Sequence, residues 1–223
     1  MEIEIIVPEG LHEITLDQYQ RFVSLQSEDE MFVAQKAIEI FCKVPLIVVN
    51  NMPYKEVARI SKRMFSYFDQ KNKLTLRTKI EGKDFGFIPN LEDMTFGEYV
   101  DLDTTITDWA TMHNAMAVLY RPVVSEAKKL YRIEDYESSH KYSDTMKKLP
   151  MSTVFGALVF FWSLGAELSI AMLESLEETP EDKTIAPEPT SQESGDGTLA
   201  SMRSLKETLQ GLKALLDSPY IKQ

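Results

Sequence analysis

The sequence predicts an α+β fold, mostly α-helical, with a small three-stranded antiparallel sheet. Apolar residues recur at helical spacing over most of the chain. One stretch, 72–89, switches to alternation around a glycine turn. One motif occurs twice, each time as a helix start behind an extended run.

The motif first reads Leu11-His12-Glu13-Ile14-Thr15-Leu16-Asp17-Gln18-Tyr19. Eighty residues on it reads Leu91-Glu92-Asp93-Met94-Thr95-Phe96-Gly97-Glu98-Tyr99. Each copy follows an apolar run that ends in proline, Ile3 to Val7 before Pro8 and Phe85 to Ile88 before Pro89. The hydroxyls of Thr15 and Thr95 can accept from the free N–H groups of a first helical turn. Gln18 and Glu98, three residues on, can accept in return from the cap's own N–H. Ile14 with Tyr19, and Met94 with Tyr99, stand at the two ends of a hydrophobic staple. Such a box stabilises a helix by roughly 1 kcal/mol, so Thr15, Gln18, Thr95 and Glu98 receive structural roles. The shared lead-in favours two related strand-turn-helix units, 1–44 and 74–122, over two coincident caps.

Residues 1–8 alternate charged and apolar side chains at their start, as a half-buried strand does. Pro8-Glu9-Gly10 turns the chain into the first boxed helix, about 15–26. A second helix, about 29–43, buries Val33, Ala37, Ile40 and Phe41 on one face, and Pro45 stops it. Leu46 to Val49 reads as a buried connector. Pro53 suits the first turn of a third helix, with Val57, Ile60, Met64 and Phe68 as its stripe. Lys55, Arg59, Lys62 and Arg63 give that helix a basic side, read as solvated. In 72–89 the turn of a hairpin falls at Gly82. A hairpin alone is marginal, and residues 2–7 are its expected third strand.

The second boxed helix covers about 96–105. Asp108 caps a helix of about 109–121, ended by Arg121-Pro122. The polar, Tyr-rich stretch that follows reads as short helices near 125–131 and 139–148. Pro150 opens the long central helix, 151–176, whose first sixteen residues carry no charge. Sixteen residues rise only about 24 Å, against a hydrocarbon core of about 30 Å. Glu167 then interrupts the run, so no membrane partner is expected. A helix apolar on nearly all sides is expected to be packed round by others, with Gly156 and Gly165 admitting close backbones.

The globular body is therefore set at 1–176. Residues 177–198 hold seven acids, one lysine and almost nothing to bury, and read as a disordered acidic linker. Such a chain spans on the order of 25 Å r.m.s.. In 199–223 Met202, Leu205, Leu209, Leu212 and Leu216 step by three and four, the narrow seam of an amphipathic helix. A helix of two heptads is unstable alone. It is expected to dock back on its own domain, on a copy of itself or on another protein, and these five residues are the expected partner-binding surface.

The 223 residues are 43% hydrophobic and 26% charged, an ordinary globular balance. A net charge of −11 repels phosphate backbones, so no nucleic-acid partner is expected. The single cysteine, Cys42, permits no intrachain disulfide and is expected to be buried and inert. That agrees with a reducing compartment. Met1-Glu2-Ile3-Glu4 lacks the basic start of a secretory signal.

The chain has no Gly-rich phosphate loop, nucleophile elbow or HExxH motif. His12, His113 and His140 lie far apart and at no metal-ligand spacing. No catalytic residue, metal or cofactor is therefore expected, although an enzyme with an unrecognised site remains one alternative. Asp101 and Asp103 near Glu98 could gather a cation, but they read as a solvated helix end. Arg121 falls at a predicted helix C-terminus, where a cation meets free carbonyls. A pair of Asp101 or Asp103 with Arg121 would hold the two helices of the second unit together.

One segment carries a resemblance. Thr95-Phe96-Gly97-Glu98-Tyr99-Val100-Asp101-Leu102-Asp103, followed by Leu119-Tyr120-Arg121-Pro122-Val123, resembles small proteins encoded by tailed bacteriophages among virion-assembly genes. Some of these are called tail assembly chaperones, others tail or baseplate components. The resemblance covers about residues 85–124. It implies a non-enzymatic protein of the host cytoplasm or the virion. Its partners would be other phage virion or tail proteins, or a second copy of itself. The leading expectation is a chaperone that masks an apolar helix of its client. The alternative is a permanent minor virion component, such as a head–tail connector or baseplate subunit.

Overall fold

The structure is a computed structural model. It describes residues 4–128, 130–177 and 210, and for 165–177 the backbone alone. The chain is α+β. The helices are α1 (Leu16–Val23), α2 (Glu30–Phe41), α3 (Leu46–Asn50), α4 (Tyr54–Phe65), α5 (Phe96–Thr105), α6 (Met112–Leu119), α7 (Ser143–Met146) and α8 (Met151–Glu177). The strands are β1 (Arg77–Ile80), β2 (Lys83–Phe87), β3 (Tyr120–Ala127) and β4 (Leu130–Ile133). They form one antiparallel sheet in the order β1-β2-β3-β4.

Both capping boxes form. The Thr15 hydroxyl accepts from the Gln18 N–H at 3.3 Å, and Gln18 Oε1 accepts from the Thr15 N–H at 3.0 Å. Thr95 and Glu98 repeat this at 3.3 and 2.6 Å. Asp29 caps α2. The α4 stripe of Val57, Ile60, Met64 and Phe68 is buried, and Lys55, Arg59, Lys62 and Arg63 face solvent. Leu46–Asn50 is a short helix rather than a connector.

The sheet differs from expectation in its strands. The β1–β2 hairpin turns at Glu81-Gly82, both at positive φ, which the tight two-residue turn needs. Residues 4–8 do not join it. The place beside β2 is taken by β3, through Phe85–Pro122, Gly86–Arg121 and Phe87–Tyr120. The helix expected at 109–121 ends at Leu119, because the residue before a proline is pushed to extended backbone. The chain then continues as a strand. Pro122 has no N–H to give a ladder. It stands where β3 passes from pairing with β2 to pairing with β4, and its carbonyl accepts from the Glu134 N–H at 2.8 Å. The helix expected at 125–131 is instead the β3–β4 hairpin, and the one expected at 139–148 shrinks to α7.

One core joins helices and sheet. Tyr19 lies edge-on to Trp109 at 4.6 Å and to Phe155 at 5.7 Å, with Phe68 at 5.4 Å. On the sheet side Phe87 meets Tyr120, Phe160 and Phe161. Cys42 is buried, with its Sγ 3.9 Å from Met64 Sδ. The long helix is enclosed over a shorter stretch than expected. Met151, Val154, Ala157 and Leu158 are fully buried, but Trp162 and Leu164 are exposed. No helix among the described residues is long and apolar enough to cross a membrane. The expected linker begins at the last residue of α8. Its remainder lies outside the described residues, as does 199–223 apart from Gln210.

Gly156 admits a close backbone, as its spacing in the long helix suggests. A Cβ there would stand 2.2 Å from the Lys73 carbonyl oxygen and 3.3 Å from Leu74 Cα. Main chain cannot swing away as a side-chain tip can. Gly156→Ala should destabilise the protein by about 3 kcal/mol, read as a lower urea midpoint; an unchanged midpoint would refute this packing.

Candidate functional site

The second capping box sits inside a buried polar cluster. The Glu98 carboxylate does two jobs. Its Oε2 accepts from the Thr95 N–H, and its Oε1 pairs with an Arg121 terminal nitrogen at 2.5 Å. The two side chains are only 4% and 8% exposed. Arg121 also lies against the Tyr136 ring, 5.5 Å from its centroid. The Arg121 Nε is buried without a partner. The Tyr136 hydroxyl donates to Asp101 Oδ2. Ser139 also hydrogen-bonds Asp101.

This corrects the pairing expected from the sequence. Arg121 does not end a helix; it is the second residue of β3. The strand aims its guanidinium at Glu98, the buried acid of α5. Asp101 is taken by Tyr136 instead. Asp103 lies on α5, half-buried. Met202, Leu205, Leu209, Leu212 and Leu216 lie outside the described residues. Thr15, Gln18 and Thr95 hold the cap positions. Gln18 also reaches outward, donating to the Ile40 carbonyl at 2.7 Å at the end of α2.

Tyr136, Ser139 and Gly86 were not singled out by the sequence. Gly86 pairs with Arg121 across the sheet, and the Tyr131 ring lies where its Cβ would be. The Tyr131 hydroxyl donates to the Phe87 carbonyl at 2.7 Å, which pins the ring there. The signal available was the Tyr-rich composition of 131–142. It marks side chains with an apolar body and a polar tip, suited to covering a charged pair.

The electrostatics are those of fixed charges. The Asp101 carboxyl is held below the usual carboxylate range, first by the Tyr136 hydrogen bond, against partial burial, with Ser139 adding. The Tyr136 hydroxyl is pushed up to about 12, by burial first and then by Asp101. Glu134 is lowered, chiefly by the hydrogen bond from Lys141 and then by that from Tyr142. His113 is lowered, mainly by burial. Burial raises the Cys42 thiol to about 11. Each of these shifts moves its group away from neutrality, where a general acid or base works best. Among the described residues no group of three or more His, Cys, Asp or Glu could hold a metal ion.

The outer face of α5 carries exposed apolar side chains. Phe96 is 82% exposed, Tyr99 49% and Val100 39%. They fall at one helical face. In the first copy of the motif the same positions are Leu16, Tyr19 and Gln20, and Leu16 and Tyr19 are fully buried. The staple is therefore buried at both ends in α1, where Ile14 is also inaccessible, while Tyr99 stands half in solvent. No protein-family model matches the chain, and neither a curated protein nor a solved structure matches it.

Arg121→Met strands a buried carboxylate and should cost about 3–5 kcal/mol. A double-mutant cycle of Arg121→Met with Glu98→Gln should show strong coupling in denaturation; additive losses would contradict the pairing. Asp101 titrates lower in the folded state than unfolded. Its contribution to stability is complete above the unfolded value of ~3.9 and is lost as pH falls through the lower folded value. Asp101→Asn should flatten the acid limb of the stability–pH curve. Tyr136→Phe, which removes the first cause of the shift, should flatten it too.

Proposed function

We propose that this chain is a non-enzymatic binding protein of tailed-phage virion assembly, acting in the manner of a tail assembly chaperone. The observation that carries the reading is the outer face of α5. Phe96, Tyr99 and Val100 are exposed within the very segment that resembles phage assembly proteins. An exposed apolar face on an otherwise strongly acidic chain is a contact surface for an apolar helix. The Glu98–Arg121 pair supports the same reading, because it orients α5 with Phe96, Tyr99 and Val100 outward.

The mechanism is masking. The seam of Met202, Leu205, Leu209, Leu212 and Leu216, on its acidic tether, engages an apolar helix of a client and delays its polymerisation. With the client also held by the body, the tether keeps the seam at a local concentration of roughly millimolar, so a weak helix suffices. The partners are other virion or tail proteins in the host cytoplasm. Deleting 199–223 should abolish capture of the virion proteins encoded beside it and leave the melting of the body unchanged. Capture at full strength by the truncated chain would refute masking. Mass spectrometry of purified virions should find the protein absent; stoichiometric presence would favour a permanent virion component instead.

A further inference from the structure

We propose that the outer face of α5 is the docking site of this chain's own C-terminal seam, the segment 199–217. This extends the masking reading: it names where the seam rests when no client holds it.

The first copy of the motif shows how such a face is covered. There the chain folds back on itself. The Leu16 N–H donates to the Leu149 carbonyl at 2.9 Å, and the Asp17 N–H to the Lys147 carbonyl at 2.8 Å. The Met151 N–H donates to the Ile14 carbonyl at 2.8 Å, and Phe155 of α8 packs on Tyr19. The incoming element is a turn followed by a long apolar helix. That element is used up on α1. The corresponding face of α5, at Phe96, Tyr99 and Val100, has no such cover among the described residues.

Charge selects the occupant. Residues 90–108 carry six acids and no cation. Glu98 is neutralised by Arg121, but Glu92 and Asp93 are exposed just before α5 and Asp108 just after it. The chain as a whole is at −11, yet 199–223 carries Arg203, Lys206, Lys213 and Lys222 against only Glu207 and Asp217. This cationic, seam-bearing segment thus matches an acidic, apolar helix face. An apolar stripe flanked by opposite charges on two helices is the arrangement that sets pairing in coiled coils.

Reach permits it. α8 ends at Glu177. The twenty-one residues 178–198 extend to about 70 Å at most. A body of this size has a radius of gyration of about 16 Å. The tether therefore reaches any face of the body.

Hydrogen exchange on the full-length protein tests this. Amides of 199–217 should be protected in the wild type at low micromolar concentration. Phe96→Ser with Val100→Ser, both at exposed positions, should lower that protection by about tenfold or more and leave the melting of the body unchanged. Leu209→Ser should in turn raise exchange of the α5 amides. Protection of 199–217 that ignores the α5 substitutions would overturn the proposal, as would its absence from the wild type. Protection that fades on dilution would assign the face to a second copy and overturn it equally. No client enters this measurement, so its failure is separate from failure of the masking reading.

Discussion

The placement of α5 depends on one buried ion pair. Glu98 and Arg121 come from different elements, a helix start and a strand, and meet out of water. A buried pair contributes little net stability, but breaking it is costly. Its main effect is on alignment. Side chains alternate across a strand, so a one-residue slip of β3 would turn Arg121 to the opposite face and leave Glu98 alone. The register of β3 against β2 is thereby fixed, and β4 follows from β3. The same pair sets the roll of α5. With Glu98 turned inward, Phe96, Tyr99 and Val100 must turn outward.

The two copies of the motif solve one problem in two ways. In each, the third residue of the helix caps backward and reaches outward. Gln18 uses its carbonyl for the cap and its amide for the end of α2. Glu98 uses one oxygen for the cap and the other for Arg121. The neutral version joins helix to helix and is covered by the turn into α8. The charged version joins helix to sheet, and its outer face is exposed among the described residues.

Much of the helical part was legible because local signals suffice there. The threonine caps, the stripes of α2 and α4, the α8 start after Pro150 and the turn at Gly82 each follow from a few adjacent residues. The rest of the sheet was not, because its causes lie far along the chain. Ser125 to Tyr131 is rich in good helix formers. Glu126 is held by Arg77 at 2.9 Å and Tyr131 lies over Gly86, so the hairpin prevails. Residues 2–7 had the right alternation for a strand, but β3 takes the place beside β2. At the site, Glu98 was picked out for its cap, which forms, and Arg121 for a helix end, which it does not occupy. Glu98 was spent on the cap, so Arg121 was given to Asp101 or Asp103. A carboxylate has two oxygens, and the structure uses both.

The strand order has its own consequence for crowding. β1 and β4 lie at the borders of the sheet, and each is four residues long. Arg77 and Lys79 line one border, and Arg132 stands on the other. Brevity and like charge together deter a neighbouring copy from zipping on as a fifth strand. Fibre-like stacking is thus discouraged at both margins, while the helical side of the molecule stays available for selective contact.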